Sequence, residues 1–390
     1  MSTQDPGAPT PPLVPGQADY GLQDHALRHQ TQDTRTYPCN TCGSQLQFDI
    51  ASQQLKCLSC GNVQPLVEGE GEVVEKDLRA ALQQPEARET AAQGLVAGEK
   101  EIVCQNCGGH TTFTGTWTAQ RCPYCATPIQ RDDVHAAPQR LPVDGILPFT
   151  VDEKRAKDAL STWVSNRRFA PREFKDYGRA GSFASVYSAY FTFDAEADTA
   201  YRGERGDNYT RTVGSGDDQR TVTETRWRKT SGNVHNSFDD LAILANDGLN
   251  RKHVTALEPW PTSTVKPFSP EYIAGHLSRT YDHSVEECYA EAQKSMESQI
   301  DSTIKTDIGG DHQKIHSKQT SWGTMTFKHL LLPIWLLTVI YAGQTYQVMI
   351  NGVTGEVHGE RPYSKVKIAA AVVAALIVAI ILAVVFTRGN

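Results

Sequence analysis

The sequence lacks the short motifs by which many enzymes are recognised. It contains no Gly-Lys dipeptide, which a Walker-A phosphate loop requires, so ATP-driven helicase action is disfavoured. It also contains neither Gly-x-Ser-x-Gly nor His-Glu-x-x-His, the signatures of many serine hydrolases and zinc proteases. We therefore expect no enzyme activity and no small-molecule substrate.

Positive charge is also scarce. The chain has 38 Lys and Arg against 45 Asp and Glu, a net charge of −7, so it offers no overall basic field that would gather nucleic acid. The first 20 residues contain no basic start and no apolar run, so we expect no secretory signal.

Cysteine, by contrast, is arranged in a repeated pattern. Eight of the nine cysteines form four Cys-x-x-Cys pairs, and 14 residues separate the two pairs of each module. In a reducing compartment such pairs favour metal ligation over disulfides. The expected ligands are Cys39, Cys42, Cys57 and Cys60 in the first module, and Cys104, Cys107, Cys122 and Cys125 in the second.

This spacing predicts two four-cysteine zinc ribbons. Each pair points two thiolates at one ion, and the second pair completes a closed tetrahedral site that is structural and not catalytic. Binding free energies of about 10–16 kcal/mol let modules with little core fold around the metal. Two redox pairs, a rubredoxin-like iron site and disulfides are the alternatives. We expect two structural zinc ions.

The ribbons carry few charges that could bind phosphate. Residues 37–66 contain one acid, Asp49, and one base, Lys56, and residues 102–130 contain Arg121 alone among Asp, Glu, Lys and Arg. Phosphate recognition depends on Lys and Arg that displace counterions. Protein contact is therefore the preferred role of the ribbons, and nucleic-acid binding is the alternative.

A long apolar run lies near the C-terminal end. Residues 368–386 contain no charge, Pro or Gly, and as a helix they would span about 28 Å, close to the thickness of a bilayer core. Arg361, Lys365 and Lys367 precede the run and Arg388 follows it. Because positive charge favours the cytoplasmic side, we expect a single-pass, tail-anchored protein of the cell membrane, with the N-terminal bulk in the cytoplasm and the C-terminus outside.

Composition divides the chain into segments. We expect an α+β protein made of two small four-cysteine zinc ribbons, a mixed α+β cytosolic domain and one C-terminal transmembrane helix. The expected segments are a disordered tail (1–36), ribbon 1 (37–66), a solvated, acidic helical spacer (67–99), ribbon 2 (100–130), a linker (131–145), the mixed domain (146–363), the transmembrane helix (366–387) and a short tail (388–390), with the two ribbons on a flexible N-terminal arm.

Periodicity predicts the elements of the mixed domain. Helical spacing predicts helices over 152–164 and 270–304. The expected strands lie at 146–149, 185–193 and 220–227, and two or three more lie within 327–357, where Asn351-Gly352 is a turn signal. The apolar run at 330–341 is too short to cross a membrane and is interpreted as a buried strand.

Three further features have ordinary structural interpretations. Cys288 lies on the apolar face of the predicted long helix, which indicates a buried thiol and not a nucleophile. His312 and His316 lie in a strand-like pattern and are expected to be solvated. Asp239-Asp240 is typical of a loop or helix start and less so of a catalytic pair.

Several motifs together resemble a known bacterial family. They are residues 39–60, 146–149, 186–194, 331–335 and 351–362, and they resemble the TFIIB-type zinc-ribbon membrane proteins, some of which are labelled primosomal helicase-like. The resemblance covers about residues 37–367 and supplies no catalytic residues. It implies partners similar to phage-shock-protein-A-like or SPFH/virion-core-like proteins, and a role in envelope stress or maintenance.

We therefore expect a membrane-anchored, zinc-binding scaffold or recruiter that holds partner proteins at the cytoplasmic face of the membrane. The alternative is a membrane-tethered nucleic-acid-binding zinc-ribbon protein in transcription or replication, and a third, weaker hypothesis is an enzyme within residues 146–363.

Overall fold

Three long antiparallel β-strands form the centre of the molecule. The structure is a computed structural model that describes residues 37–44, 46–67, 69, 71–83, 100–103, 110–113, 120–121, 123–124, 128–129, 134–136, 141–167, 169–171, 181–214, 219–279 and 281–388. The central strands are β11 (Gly181–Val213), β12 (Arg220–Leu244) and β15 (His312–Tyr341). β11 lies between the other two and pairs with both along most of its length.

Shorter elements surround these strands. The N-terminal strands are β1 (Leu46–Asp49), β2 (Gln54–Cys57), β3 (Val63–Gln64), β4 (Lys76–Asp77), β5 (Lys100–Val103), β6 (His110–Phe113), β7 (Gln120–Arg121), β8 (Pro128–Ile129), β9 (Val134–Ala136) and β10 (Gly145–Ile146). The later ones are β13 (Lys266–Pro267), β14 (Leu277–Arg279), β16 (Gln344–Asn351) and β17 (Val357–Gly359). Five α-helices lie among the described residues: α1 (Leu78–Gln83), α2 (Glu153–Ser165), α3 (Arg251–Thr255), α4 (Val285–Ile308) and α5 (Lys365–Arg388). The fold is therefore mixed α+β, as expected, and it contains one large sheet that the sequence did not predict.

The central strands have an apolar core on each face. Residues 186–193 and 327–339 are almost continuously buried, as is usual where both faces of a sheet are covered. Tyr187 and Phe191 belong to one core, which α2 and α4 help to cover, and Val186 and Tyr190 belong to the other, which residues 249–260 cover. Farther from this region, only the face of the long strands that packs against α4 is buried. There β12 alternates between buried and exposed residues.

Helix α4 begins and ends at clear signals. Ser284 and Glu287 form a capping box at its start, and Gly309 ends it with a φ of +64°. Cys288, Ala292, Met296, Ile300, Ile304 and Ile308 form its buried face. The helix predicted over 270–304 is therefore wrong in its first part. Residues Pro270–Ile273 form a 3-10 turn and Leu277–Arg279 a strand, because the helical start signal comes only at Ser284.

Most other element predictions are confirmed with different bounds. Helix α2 starts at the N-cap Asp152 and buries Ala156 and Leu160. The strands predicted at 185–193, 220–227 and 330–341 are parts of much longer ones. The predicted strand at 146–149 is reduced to Gly145–Ile146, which pairs in parallel with Leu330 and Leu331.

The turn at Asn351-Gly352 is confirmed. It follows β16, and the Asn351 side-chain oxygen accepts hydrogen bonds from the backbone N–H groups of Val353 (2.9 Å) and Thr354 (3.0 Å). The Asn351 amide also donates to the Leu257 carbonyl at 3.0 Å. The side chain is fully buried, so this asparagine joins two segments that are remote in sequence.

The segment after the first ribbon differs from the predicted spacer. Lys76–Asp77 pair with Thr326 and Phe327 of β15, and Leu78 is buried. Its six-residue helix therefore packs on the sheet and is not solvated on all sides. Residues 84–99, like the tail 1–36, lie outside the described residues.

Candidate metal centre

Four cysteine sulfurs of the first module converge on one point. The Sγ atoms of Cys39 and Cys60 are 3.6 Å apart, and those of Cys42 and Cys57 are 3.5 Å apart. All four lie within 4.8 Å of one another. In a tetrahedral site with metal–sulfur bonds of about 2.3 Å, the sulfurs would be about 3.8 Å apart. The cluster therefore has the size of a four-thiolate metal site.

Two similar knuckles position these sulfurs. After the first pair, the Gly43 N–H donates to the Cys39 carbonyl at 2.9 Å, and after the second the Gly61 N–H donates to the Cys57 carbonyl at 2.9 Å. The glycines have φ angles of +73° and +74°, a left-handed conformation that glycine adopts without strain. The local sequence thus folds each pair the same way, with the first cysteine buried and the second exposed.

Nearby N–H groups favour the ionised form of Cys39. The Thr41 backbone N–H points at its sulfur at 3.4 Å and the Asn62 side-chain amide at 3.7 Å. The hydrogen bond from Thr41 contributes most to lowering the pKa of Cys39 to about 6. The Ser44 hydroxyl is the main cause of the lowered pKa of Cys42. The pKa of Cys60 shifts the other way: the Asn62 backbone N–H lowers it, but hydrogen bonds with the other cysteine sulfurs, Cys42 first, together with burial raise this pKa to about 12. Thiolates are the form that binds metal, so Cys39 and Cys42 are the two sulfurs predisposed to bind a cation.

The first module is fixed to the body, by which we mean the part of the molecule built around the central strands β11, β12 and β15. The Phe48 N–H donates to the Ala274 carbonyl at 2.9 Å, and the Gln53 side-chain amide donates to the Phe149 carbonyl at 2.8 Å. The Phe48 ring packs against Tyr272, with 5.3 Å between centroids. The expectation that this ribbon sits on a flexible arm is therefore wrong, because β1 contributes its apolar face to the main core.

The ligands predicted for the second module lie outside the described residues: Cys104, Cys107, Cys122 and Cys125. Residues inside its second pair are described. Tyr124 is buried, and the Pro123 and Tyr124 carbonyls accept hydrogen bonds from Thr338 (2.6 Å) and Gln347 (2.5 Å) of the large sheet. This short stretch of the second module also contacts the body directly.

An acidic cluster lies elsewhere on the sheet and was not foreseen. Asp240 is in strand β12, so the loop or helix start expected at Asp239-Asp240 is wrong. The Asp240 carboxylate is 2.6 Å from the Lys328 ammonium, which is also 3.2 Å from Glu75 and 3.8 Å from Asp194. Burial raises the pKa of Asp194. A lysine at the centre makes this a structural ion network that joins the segment of Glu75 to the sheet.

The remaining candidates behave as ordinary structural residues. Cys288 is buried, and burial raises the pKa of its thiol to about 12, which confirms the prediction of an inert core cysteine. His312 and His316 lie at the exposed start of β15, so the strand prediction is confirmed. The nearest carboxylate oxygen to His316 belongs to Glu204, at 3.6 Å.

The C-terminal helix is apolar around its whole circumference. Residues Lys365–Leu382 have a mean hydropathy of 2.5 and none of them is buried against the body. A helix of this length and composition is able to span a membrane. Its first turn is held to the body, because the Ser364 N–H donates to the Phe169 carbonyl at 2.8 Å and the Lys367 ammonium to the Ala170 carbonyl at 2.7 Å.

The chain is similar to a bacterial protein along most of its length. It is 26% identical over 336 residues to "Uncharacterized protein YdjG" of Bacillus subtilis (strain 168), a match that covers 86% of this chain and 92% of that protein. No protein-family model matches the chain, and no solved structure matches it significantly. Because the similarity extends over nearly the whole length of both proteins, it is not confined to the cysteine modules.

Proposed function

We propose that the protein is a membrane-anchored, zinc-binding, non-enzymatic scaffold that recruits partner proteins to the cytoplasmic face of the membrane. The proposal rests on the observation that the four-cysteine module and the apolar helix are both attached to the same body. The four-cysteine module packs on this body at Phe48, and the first turn of the exposed apolar helix is bonded to it at Phe169 and Ala170.

Zinc is the proposed metal because the site is closed. Four thiolates at tetrahedral distances leave no position for substrate, which is typical of structural zinc. A second zinc ion is proposed in the second module, on the identical spacing of its cysteines. The purified protein should be colourless and contain two equivalents of zinc. Visible absorption from iron–thiolate bonds would contradict the assignment.

The surface of the first module favours a protein partner over a nucleic acid. Leu58, inside the second cysteine pair, is 71% exposed, and Val63 is 41% exposed. Exposed apolar side chains beside a weakly charged surface suit protein contact, whereas phosphate binding needs Lys and Arg. By the family resemblance, the proposed partners are phage-shock-protein-A-like or SPFH-like proteins, and the process is envelope stress or maintenance.

The proposed orientation of the apolar helix across the membrane follows from the positive charges that flank it. Arg361, Lys365 and Lys367 lie at the start of the apolar helix, and positive charge is retained on the cytoplasmic side. The reducing cytoplasm would also keep the cysteines as thiolates.

Affinity purification from detergent-solubilised membranes tests the recruiter role. Full-length wild type would be compared with Leu58→Asp, with Cys39→Ser and with the matched control Val74→Asp, since Val74 is also exposed, at 66%, and lies outside the module. A partner retained by wild type and control but lost from the first two variants supports the proposal. Identical partner sets for all four proteins, or none, would remove it.

A further inference from the structure

A cavity lies beside the start of the apolar helix. It has a volume of about 510 Å³ and is open to solvent on one side. Its wall is formed by side chains from α2 and the turn after it, from α3, from β16 and from the segment that leads into α5: Trp163, Arg167, His253, Tyr346, Arg361 and Tyr363. The cavity is therefore built from four separate elements that meet where the chain leaves the body.

Two arginines give this cavity the character of an anion site. The Arg167 guanidinium stacks 4.5 Å above the Trp163 ring, and the Arg361 guanidinium lies 5.1 Å from the Tyr363 ring. Neither forms a salt bridge with a carboxylate in the described part of the chain. The Nε of Arg167 is buried and has no hydrogen-bond partner there. The Arg361 Nε and one terminal nitrogen donate to the Tyr363 hydroxyl at 3.3 and 3.1 Å, which fixes this guanidinium and uses part of its donor set. A guanidinium has five N–H donors, and its planar fork suits the oxygens of a phosphate.

The one acid in the wall is already engaged. The Glu360 carboxylate accepts a hydrogen bond from the Asn250 amide at 2.6 Å. Burial lowers the pKa of His253, so this ring is neutral near pH 7. The two arginines thus outweigh the glutamate, and Lys365 lies four residues beyond Arg361.

The position of the cavity indicates where the phosphate comes from. Tyr363 is 55% exposed and lies two residues before the helix that is able to span a membrane. The bond from Ser364 to Phe169 ties the start of this helix to the chain that follows Arg167. Tyr and Trp side chains are enriched at the level of lipid headgroups, and basic pockets at this level bind anionic lipids.

We propose that this cavity binds the phosphate headgroup of an anionic phospholipid from the bilayer that α5 enters. The inference rests on the membrane insertion proposed above. In this proposal α5 attaches the protein to the membrane, and the cavity selects which lipids surround it.

Native mass spectrometry of the full-length protein in detergent micelles tests this inference. Micelles would be titrated with phosphatidylglycerol or phosphatidylcholine. The variant Arg167→Gln/Arg361→Gln would be compared with wild type and with Arg211→Gln/Arg226→Gln, which removes the same charge from exposed positions of β11 and β12. We expect phosphatidylglycerol retention to weaken about fivefold for each arginine lost from the cavity and to be unchanged in the control.

Further arms separate the possible outcomes. Insertion is measured independently, by flotation with phosphatidylcholine vesicles after carbonate extraction. Insertion with equal phosphatidylglycerol retention in all proteins would overturn the lipid site and leave the anchor intact, whereas failure to insert would overturn both. Inorganic phosphate or glycerol 1-phosphate competing as strongly as the lipid would identify a soluble ligand instead. The single variant Arg361→Gln, at a partly exposed position, serves if the double variant does not fold.

Discussion

At the scale of single residues, the cysteine ligands give the most direct prediction. Cys39→Ser removes one of four sulfurs that lie within 4.8 Å of one another, so the site should lose its ion. We expect the zinc content to fall by one equivalent, together with a lower unfolding temperature, because metal binding contributes about 10–16 kcal/mol in small zinc modules. Metal analysis of purified protein checks this.

Cys288→Ser is the matched control for that substitution. Its thiol is buried on the packed face of α4 and is not one of the four converging sulfurs, so zinc content should equal that of wild type. A Cys39→Ser protein that kept its full zinc content would show that the four sulfurs do not form the site.

Two histidines, the buried His329 and the partly buried His276, predict that the stability of the protein depends on pH. Burial lowers the pKa of His276 and of His329 to about 4, below the ordinary value of about 6.5. The unfolded chain therefore takes up protons below pH 6.5 that the folded protein does not. The contribution of these histidines to the free energy of unfolding should be at its maximum above pH 6.5. It should fall towards pH 4 by about 1.4 kcal/mol per pH unit for each histidine.

Denaturant unfolding of wild type and His329→Gln at pH 7, 6 and 5 measures this slope. The variant should lose less stability on acidification than wild type. Metal release affects both proteins equally, so the difference between them isolates the histidine. Parallel curves would mean that His329 titrates normally in the folded state.

Residues close together in sequence were the predictable part of the site. Cys39 and Cys42 share one turn, and spacing alone predicts that they belong to one metal-binding cluster, whose sulfurs the structure brings together. The network of Glu75, Asp194, Asp240 and Lys328 draws its members from four remote segments. Nothing in the local pattern of any one of them indicates that they meet. The pairing of β11 with β12 and β15 brings the two aspartates and the lysine together, and the pairing of β4 with β15 adds Glu75.

At the scale of elements, helix α4 is expected to stabilise the central strands. Its buried face includes Met296 and Ile300. Met296→Ala should cost about 2–5 kcal/mol of unfolding free energy, because it leaves a cavity against the sheet. Gln299→Ala, on the exposed face of the same helix, should change it by less than about 0.5 kcal/mol. Thermal or denaturant unfolding distinguishes the two, and equal effects would mean that α4 does not pack as described.

Element types were easier to predict than element lengths. Residues 185–193 are buried on both faces of the sheet, and this burial is reflected in an aromatic-rich sequence that indicates a strand. The same strand continues to Val213 through exposed residues such as Arg202 and Asn208, where the sequence has no apolar signal. Pairing with β12 on one side and β15 on the other extends it, and such tertiary hydrogen bonds are not visible in local composition.

At the scale of the whole molecule, the apolar helix predicts attachment to membranes. Ile377→Arg/Ile380→Arg places two charges near the middle of α5, each expected to cost about 2.5–3.5 kcal/mol on insertion. The variant should move from the membrane fraction to the soluble fraction after carbonate extraction. Val366→Arg, beside Lys365 at the start of the helix, should remain with the membrane. Retention of both variants would contradict the anchor.

The length of β11 has a consequence for how the protein behaves in solution. Its 33 residues, at about 3.2 Å each, give a contour of about 100 Å. A compact chain of 390 residues has a radius of gyration of about 21 Å, which corresponds to a sphere about 55 Å in diameter. The frictional coefficient should accordingly exceed that of a sphere of equal mass. Elution volume alone would then overstate the number of subunits, and sedimentation equilibrium, which is independent of shape, is the appropriate measure of assembly.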